Sequence, residues 1–139
     1  MVKTYDPKQV GIIVGTRPLT GYEDGTFVNV TRNSDSWSLS MGADGEGTRS
    51  KSNDKSGRVE ITLKQSSSDN EYMSELALAD ELSGGGTFPV LVRDASGTSL
   101  YAAETAWVVK PSDSEFAKES SARTWMLETD NLAMFVGSN

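Results

Sequence analysis

Arg58-Val59-Glu60-Ile61-Thr62-Leu63-Lys64 runs directly into Gln65-Ser66-Ser67-Ser68-Asp69-Asn70-Glu71. In the first stretch Val59, Ile61 and Leu63 alternate with Arg58, Glu60, Thr62 and Lys64. A period of two with one apolar and one polar set predicts a half-buried antiparallel strand with one wet face. The second stretch changes the period. Ser68 with Glu71 three residues later fits a capping box. Asp69 and Glu71 suit the positive end of a helix dipole. Tyr72, Leu76, Ala79 and Leu82, with Met73 beside them, form an apolar stripe at helical spacing, and Gly84 is a natural C-cap. The spacing therefore predicts a helix over 68–83.

Working outward, the rest reads as strands. On the N-terminal side, Val10-Gly11-Ile12-Ile13-Val14 and Thr26-Phe27-Val28-Asn29-Val30 are short β-branched runs, separated by the turn cluster Gly21-Tyr22-Glu23-Asp24-Gly25. Trp37, Leu39 and Met41 alternate with Ser36, Ser38 and Ser40, which predicts a second half-buried strand. Between it and the opening stretch lies 42–57, GADGEGTRSKSNDKSG, with no large apolar residue. A structureless stretch of that length inside a compact domain is unusual and marks either function or disorder. After the helix, 87–110 reads as a long hairpin turning at Asp94-Ala95-Ser96-Gly97. Pro111 to Ser121 is a polar loop. Residues 122–128 and 132–136 read as a final strand pair. Residues 1–9, polar and holding Pro7, read as an arm. No internal repeat or domain boundary interrupts the 139 residues, which suit one domain.

Composition narrows the chemistry. The chain has no cysteine, so disulfides, thiolate nucleophiles and cysteine-based zinc sites are out. It has no histidine, the usual neutral-pH base and commonest metal ligand, which removes Ser-His-Asp chemistry. The net charge of -7 argues against gripping nucleic acid by phosphate neutralisation, but not against enclosing it. No apolar run approaches a bilayer span and no signal peptide is visible, so no membrane partner is expected and synthesis in a cytoplasm is.

The motifs that could carry catalysis or binding read more simply as structure. Glu23-Asp24, Asp44 with Glu46, Asp69 with Glu71, and Asp80-Glu81 are sequence neighbours. Such pairs rarely face each other across a cleft as a glycosidase requires, and solvated surface and helix capping explain them. Asn53-Asp54-Lys55-Ser56-Gly57 resembles the start of a calcium loop, but Lys55 stands where a ligand is needed and no closing glutamate follows. Gly42, Gly45 and Gly47 fit no phosphate-binding pattern, and Gly84-Gly85-Gly86 follows a helix instead of preceding one. Trp37, Trp107 and Trp125 could form a sugar platform, but strand-borne tryptophans belong more often to a core or an interface. No catalytic, cofactor or metal residue is assigned. The 42–57 segment keeps two readings open: a solvated hairpin tip, or a docking arm that orders on a neighbouring subunit.

Strands, a long polar loop, one helix and further strands resemble the tail tube proteins of contractile-tailed (myovirus-type) bacteriophages. The resemblance is carried by Lys3-Thr4-Tyr5-Asp6-Pro7-Lys8-Gln9-Val10, by Asn33-Ser34-Asp35-Ser36-Trp37-Ser38, and by Arg123-Thr124-Trp125 with Leu132 and Val136-Gly137. It implies a mainly β, sandwich- or barrel-like fold of two packed antiparallel sheets with a flanking helix, and no enzymatic activity. It implies hexameric rings stacked into a conduit for DNA ejection, part of the virion. The partners would be the tail sheath protein outside, the tape measure protein and transiting DNA inside, and baseplate and tail terminator proteins at the ends. It also implies that 42–57 reaches the adjacent ring, with contacts drawn from Asp44, Glu46, Arg49, Lys51, Asp54, Lys55 and Arg58. The N-terminal arm and C-terminal tail would add to those contacts. The acidic excess suits a lumen along which DNA slides. A tube of a phage-like bacteriocin or type VI-like secretion system, and a monomeric carbohydrate-binding β-sandwich, are the alternatives.

Overall fold

The alternating stretch that opens the reading becomes a long strand paired on both sides. The computed structural model describes residues 2–139, with ten strands, one helix and a 3-10 turn at Pro7–Gln9. The strands are β1 (Val10–Val14), β2 (Arg17–Pro18), β3 (Val28–Arg32), β4 (Trp37–Met41), β5 (Gly47–Lys51), β6 (Gly57–Lys64), β7 (Phe88–Asp94), β8 (Leu100–Val108), β9 (Ala122–Thr129) and β10 (Ala133–Phe135), with α1 (Asp69–Ser83) between β6 and β7. Val59, Ile61 and Leu63 are buried as their alternation requires, and β6 pairs along its length with β9 on one side and with β3 on the other.

All named pairs are antiparallel. One sheet has eight strands, in the order β2-β1-β7-β8-β9-β6-β3 with β10 also on β8; the second is the two-stranded ribbon β4-β5. The large sheet forks at β8. Ala106–Val108 pair with β9, while Leu100–Ala102 pair with β10 along the same edge. A register shift between Phe88 and Val90 places an irregularity beside the fork, where a bulge sharpens the strand twist. The sheet curls so that Val28 and Val30 of the end strand β3 share a cleft with Val10 of β1, Val92 of β7 and Tyr101 of β8. One core results: Ile12, Val14, Val90, Val92, Ile61, Leu63, Trp125 and Leu127 from the strands, with Met73 and Ala77 from the helix.

The hairpin read over 87–110 is present as β7 and β8. Other expectations are corrected. Residues 122–128 and 132–136 do not pair with each other: β9 pairs with β6 and β8, and β10 with β8. The capping box at Ser68 does not form. Ser68 is itself helical in backbone angle and makes no side-chain cap bond. Instead the Asn70 amide folds back on the carbonyls of Lys64, Gln65 and Ser67, and Trp125 Nε1 donates to Asn70 Oδ1 at 2.9 Å. The buried helix positions are Asp69, Met73 and Ala77, four apart; Leu78 and Leu82 are exposed. Gly84, at φ 68, terminates the helix as expected.

Asp69 is the largest departure. Sequence places it on a solvated first turn, yet it is 1% exposed. Its Oδ2 accepts the Thr20 backbone N–H at 2.6 Å and the Thr20 hydroxyl at 3.3 Å. Its Oδ1 makes no hydrogen bond and is held by charge, with Arg17 Nε 2.6 Å away. Asp69 thus ties the helix start to the loop after β2. Burial, with Asp69 adding to it, pushes the nearby Tyr22 hydroxyl above its ordinary pKa. Removing Asp69 leaves the Thr20 N–H without its partner, so Asp69→Ala lowers stability by about 1–3 kcal/mol. Glu71→Ala, at an exposed position two residues on, changes it by less than about 0.5 kcal/mol. Urea unfolding of the two variants checks the contrast; equal midpoints would contradict it.

Candidate assembly interface

Among the described residues the ribbon β4-β5 pairs with no other strand. Its register sets Trp37 opposite Lys51, Ser38 opposite Ser50, Leu39 opposite Arg49, Ser40 opposite Thr48 and Met41 opposite Gly47. Directly opposed residues share a face. One face therefore carries Trp37, Leu39 and Met41 with Arg49 and Lys51; the other carries only hydroxyls, from Ser38, Ser40, Thr48 and Ser50. The Arg49 guanidinium lies over the Trp37 ring, 3.8 Å from its centroid. Gly47 leaves room for its neighbours, since a Cβ there would meet Met41 Sδ at 3.2 Å and Leu39 Cδ1 at 3.4 Å.

Two expectations change here. Trp37, Leu39 and Met41 are not half-buried against the body; they are 46%, 71% and 60% exposed. The 42–57 segment is not a structureless loop. Gly42 donates to Glu46 O at 2.7 Å, and Gly45, at φ 89, donates to Gly42 O at 3.1 Å, closing a tight turn. The chain then returns as β5. Because Gly-Thr-Arg-Ser-Lys holds no apolar residue, hydropathy gave no sign of a strand; only the geometry of the turn could have hinted at it.

The root of the ribbon is stitched by short polar bonds. Ser34 donates to Asp54 Oδ2 at 2.7 Å, and the Ser56 hydroxyl and N–H donate to Asp54 Oδ1 at 2.6 and 2.9 Å. Asn33 binds Ser56 through both its side chain and its backbone N–H. Below this latch the Arg32 guanidinium donates to Leu132 O at 3.1 and 2.7 Å, and the Leu132 N–H donates to Lys55 O at 2.8 Å. Gly57 is required there, since a Cβ would press on the Leu132 side chain and lie 2.9 Å from Thr31 O.

The sequence-derived contact residues thus separate. Asp44 and Glu46 sit at the tip, where Asp44 Oδ1 accepts the Glu46 N–H. Arg49 and Lys51 lie on the apolar face. Asp54 is spent on the latch, and Arg58 pairs with Glu128 across β6-β9 at 3.2 Å. Lys55 forms a backbone bridge with Asn131. At the other expected contacts, Gly137, Ser138 and Asn139 are bonded to Thr98, Ser99, Asp94 and Ser96 of the β7-β8 turn. Among the described residues no group of three or more acidic side chains is placed to hold a metal ion. Trp125 is core, Trp107 is half-buried in β8 and Trp37 is exposed on the ribbon.

This architecture matches solved structures of contractile injection systems. The chain superposes on the cap of the anti-feeding prophage tube over 97% of its length and 94% of that chain, with a TM-score of 0.64 at 10% identity. It matches a chain of the PVC sheath/tube terminator over 97% of its length and 99% of that chain, with a TM-score of 0.65 at 9% identity. It matches a chain of the PVC sheath-tube complex over 95% of its length and 91% of that chain, with a TM-score of 0.60 at 11% identity. The fold is that of these assemblies' subunits. In sequence, the chain is 29% identical over 144 aligned residues to structural protein ORF10 of Pseudomonas phage KPP10, covering 98% of this chain and 83% of that protein. The family described as Bacteriophage PhiTE tail tube protein matches residues 14–137. The chain belongs to that family. It is a structural protein of the phage tail, part of the virion, and not an enzyme.

Hydrogen bonds from the Ser56 and Ser34 hydroxyls hold the exposed Asp54 carboxyl below its usual 3.8, at about 2. With the folded value below the unfolded one, the latch is fully present above about pH 4 and is lost as pH falls toward 2. Carboxyl-carbon NMR should give Asp54 a midpoint near 2, moving upward in Ser34→Ala and Ser56→Ala. An ordinary midpoint in the parent protein would show the latch absent.

Proposed function

We propose that the chain is the tail tube subunit of a contractile phage tail, forming hexameric rings that stack into the inner conduit for DNA ejection. The observation that carries this reading is the ribbon: a two-stranded sheet whose Trp37, Leu39 and Met41 stay exposed, with the ribbon's own Arg49 laid over Trp37. An isolated two-stranded hairpin is marginal in water, and a contiguous exposed apolar patch marks an interaction surface. Membership of a tail tube family and a fold shared with contractile injection assemblies support self-association as that interaction.

In this reading Arg49 and Lys51 contribute to inter-ring contact together with Asp44 and Glu46 at the tip. Asp54, Lys55 and Arg58 hold the ribbon at its root. The sheath protein surrounds the tube, the tape measure protein and then DNA occupy the lumen, and baseplate and terminator proteins close the ends. The subunit is made in the host cytoplasm. The net charge of -7 suits a conduit that does not retain phosphate. A phage-like injection particle is the second reading, favoured only by the source of the solved structures; the phage origin of the sequence relative favours the first.

Negative-stain electron microscopy of the purified protein over a concentration series tests this. Rings or stacked tubes with an open centre are expected. A monomer at every concentration, including on addition of preformed tail ends as initiators, would contradict it.

A further inference from the structure

A trough runs beside β1. Its volume is 610 Å³, and it joins a second cleft of 570 Å³ through shared Val10, Gly25 and Phe27. Its apolar wall is formed by Val10, Ile13, Tyr22 and Phe27, with the two aromatic rings stacked at 4.9 Å between centroids. Glu23, Asp24 and Lys8 are its charged lining residues. The trough lies where the ends of the sheet approach, so its apolar lining is left over after the core has closed.

We propose that the uncovered face of the ribbon of one copy seats in this trough on a second copy. This rests on the assembly reading above and names the surface that receives the ribbon. Trp37, Leu39 and Met41 meet the apolar wall, and Arg49 and Lys51 meet Glu23 and Asp24. Apolar side chains flanked by two cations on one surface answer an apolar wall on the other whose charged lining, Glu23 and Asp24 against the single cation of Lys8, is negative on balance, and such complementarity fixes partner and register. A tryptophan already stacked under an arginine is the kind of anchor that dominates interfaces. Ribbon and trough are different patches of one chain, so their contact is heterologous: each copy that receives a ribbon still offers its own, and the contact propagates. The exposed stripe on α1, Glu71 and Glu75 with Leu78 and Leu82, lines neither cleft and carries the same sign of charge as the trough without its stacked aromatic wall.

The test is charge exchange in the full chain, read by sedimentation and electron microscopy, with folding checked by circular dichroism melting. Arg49→Glu with Lys51→Glu, and Glu23→Lys with Asp24→Lys, should each raise the concentration needed for assembly by at least about tenfold. The variant carrying all four changes should return to within about threefold of wild type. Normal assembly of the Glu23→Lys/Asp24→Lys variant overturns the proposal, as does failure of the folded four-change variant to recover. A wild-type protein that never assembles instead overturns the proposed function, so the two failures are distinguishable. The chain has no cysteine of its own, which allows a second measurement. Leu39→Cys with Thr26→Cys, treated with a short bismaleimide after assembly, should give a ladder of linked copies. A ladder from Leu39→Cys with Leu78→Cys and none from the first pair would place the ribbon on the helix and overturn the proposal.

Discussion

Trp37, Leu39 and Met41 share one face of the ribbon and stay exposed on the subunit that carries them. The ribbon stands on β3 and β6 and, among the described residues, pairs only with itself. Completing the burial of each of the three side chains elsewhere is worth about 1–2 kcal/mol, since each is already partly shielded. That is ample to drive weak association repeated many times. The other face of the ribbon, all hydroxyls, is content in water. The ribbon is therefore built with one face for protein and one for solvent.

A projecting element is useful only if its root is fixed, and much of the body's polar bonding serves that end. Asp54 gathers Ser34 and Ser56 into a latch, Arg32 reaches the Leu132 carbonyl, and Gly57 lets Leu132 approach the strand. Leu132 is itself buried, so the latch is connected to the core and not merely to the surface. At the opposite end of β6, Asp69 and Asn70 bind the helix start to the loop before β3 and to Trp125. β6 thus runs between two clamps, which is why the longest alternating stretch in the sequence is also the element that positions the ribbon.

The parts that sequence made legible are those where local pattern and burial agree. β6, the β7-β8 hairpin and the helix with its glycine stop follow from periodicity and turn chemistry, as does the mainly β class. The rest depended on facts that periodicity does not hold. The alternation in 37–41 shows that Trp37, Leu39 and Met41 share a face, but not whether anything covers that face. β5 has no apolar residue and exists because the turn at Gly42–Glu46 aims it back along β4. Asp69 looks like any first-turn carboxylate until the loop after β2 brings Thr20 and Arg17 to it. The pairing of β9 with β6 in place of β10 is long-range and leaves no local trace. In the candidate interface, family resemblance directed attention to residues 42–57, where the structure places the ribbon's turn and β5. It could not separate Arg49 and Lys51, which are presented outward, from Asp54 and Arg58, which are bonded within the subunit.

The ribbon's exposure in the free subunit and its burial on assembly are most directly measured by site-resolved hydrogen–deuterium exchange of residues 37–51, compared between monomer and assembled material. The expected result is rapid exchange across β4 and β5 in the monomer and strong protection after assembly, while β6 and β9 stay protected throughout. Equal exchange of the ribbon in both states, with assembly confirmed by microscopy, would contradict a role for its apolar face in joining the subunits.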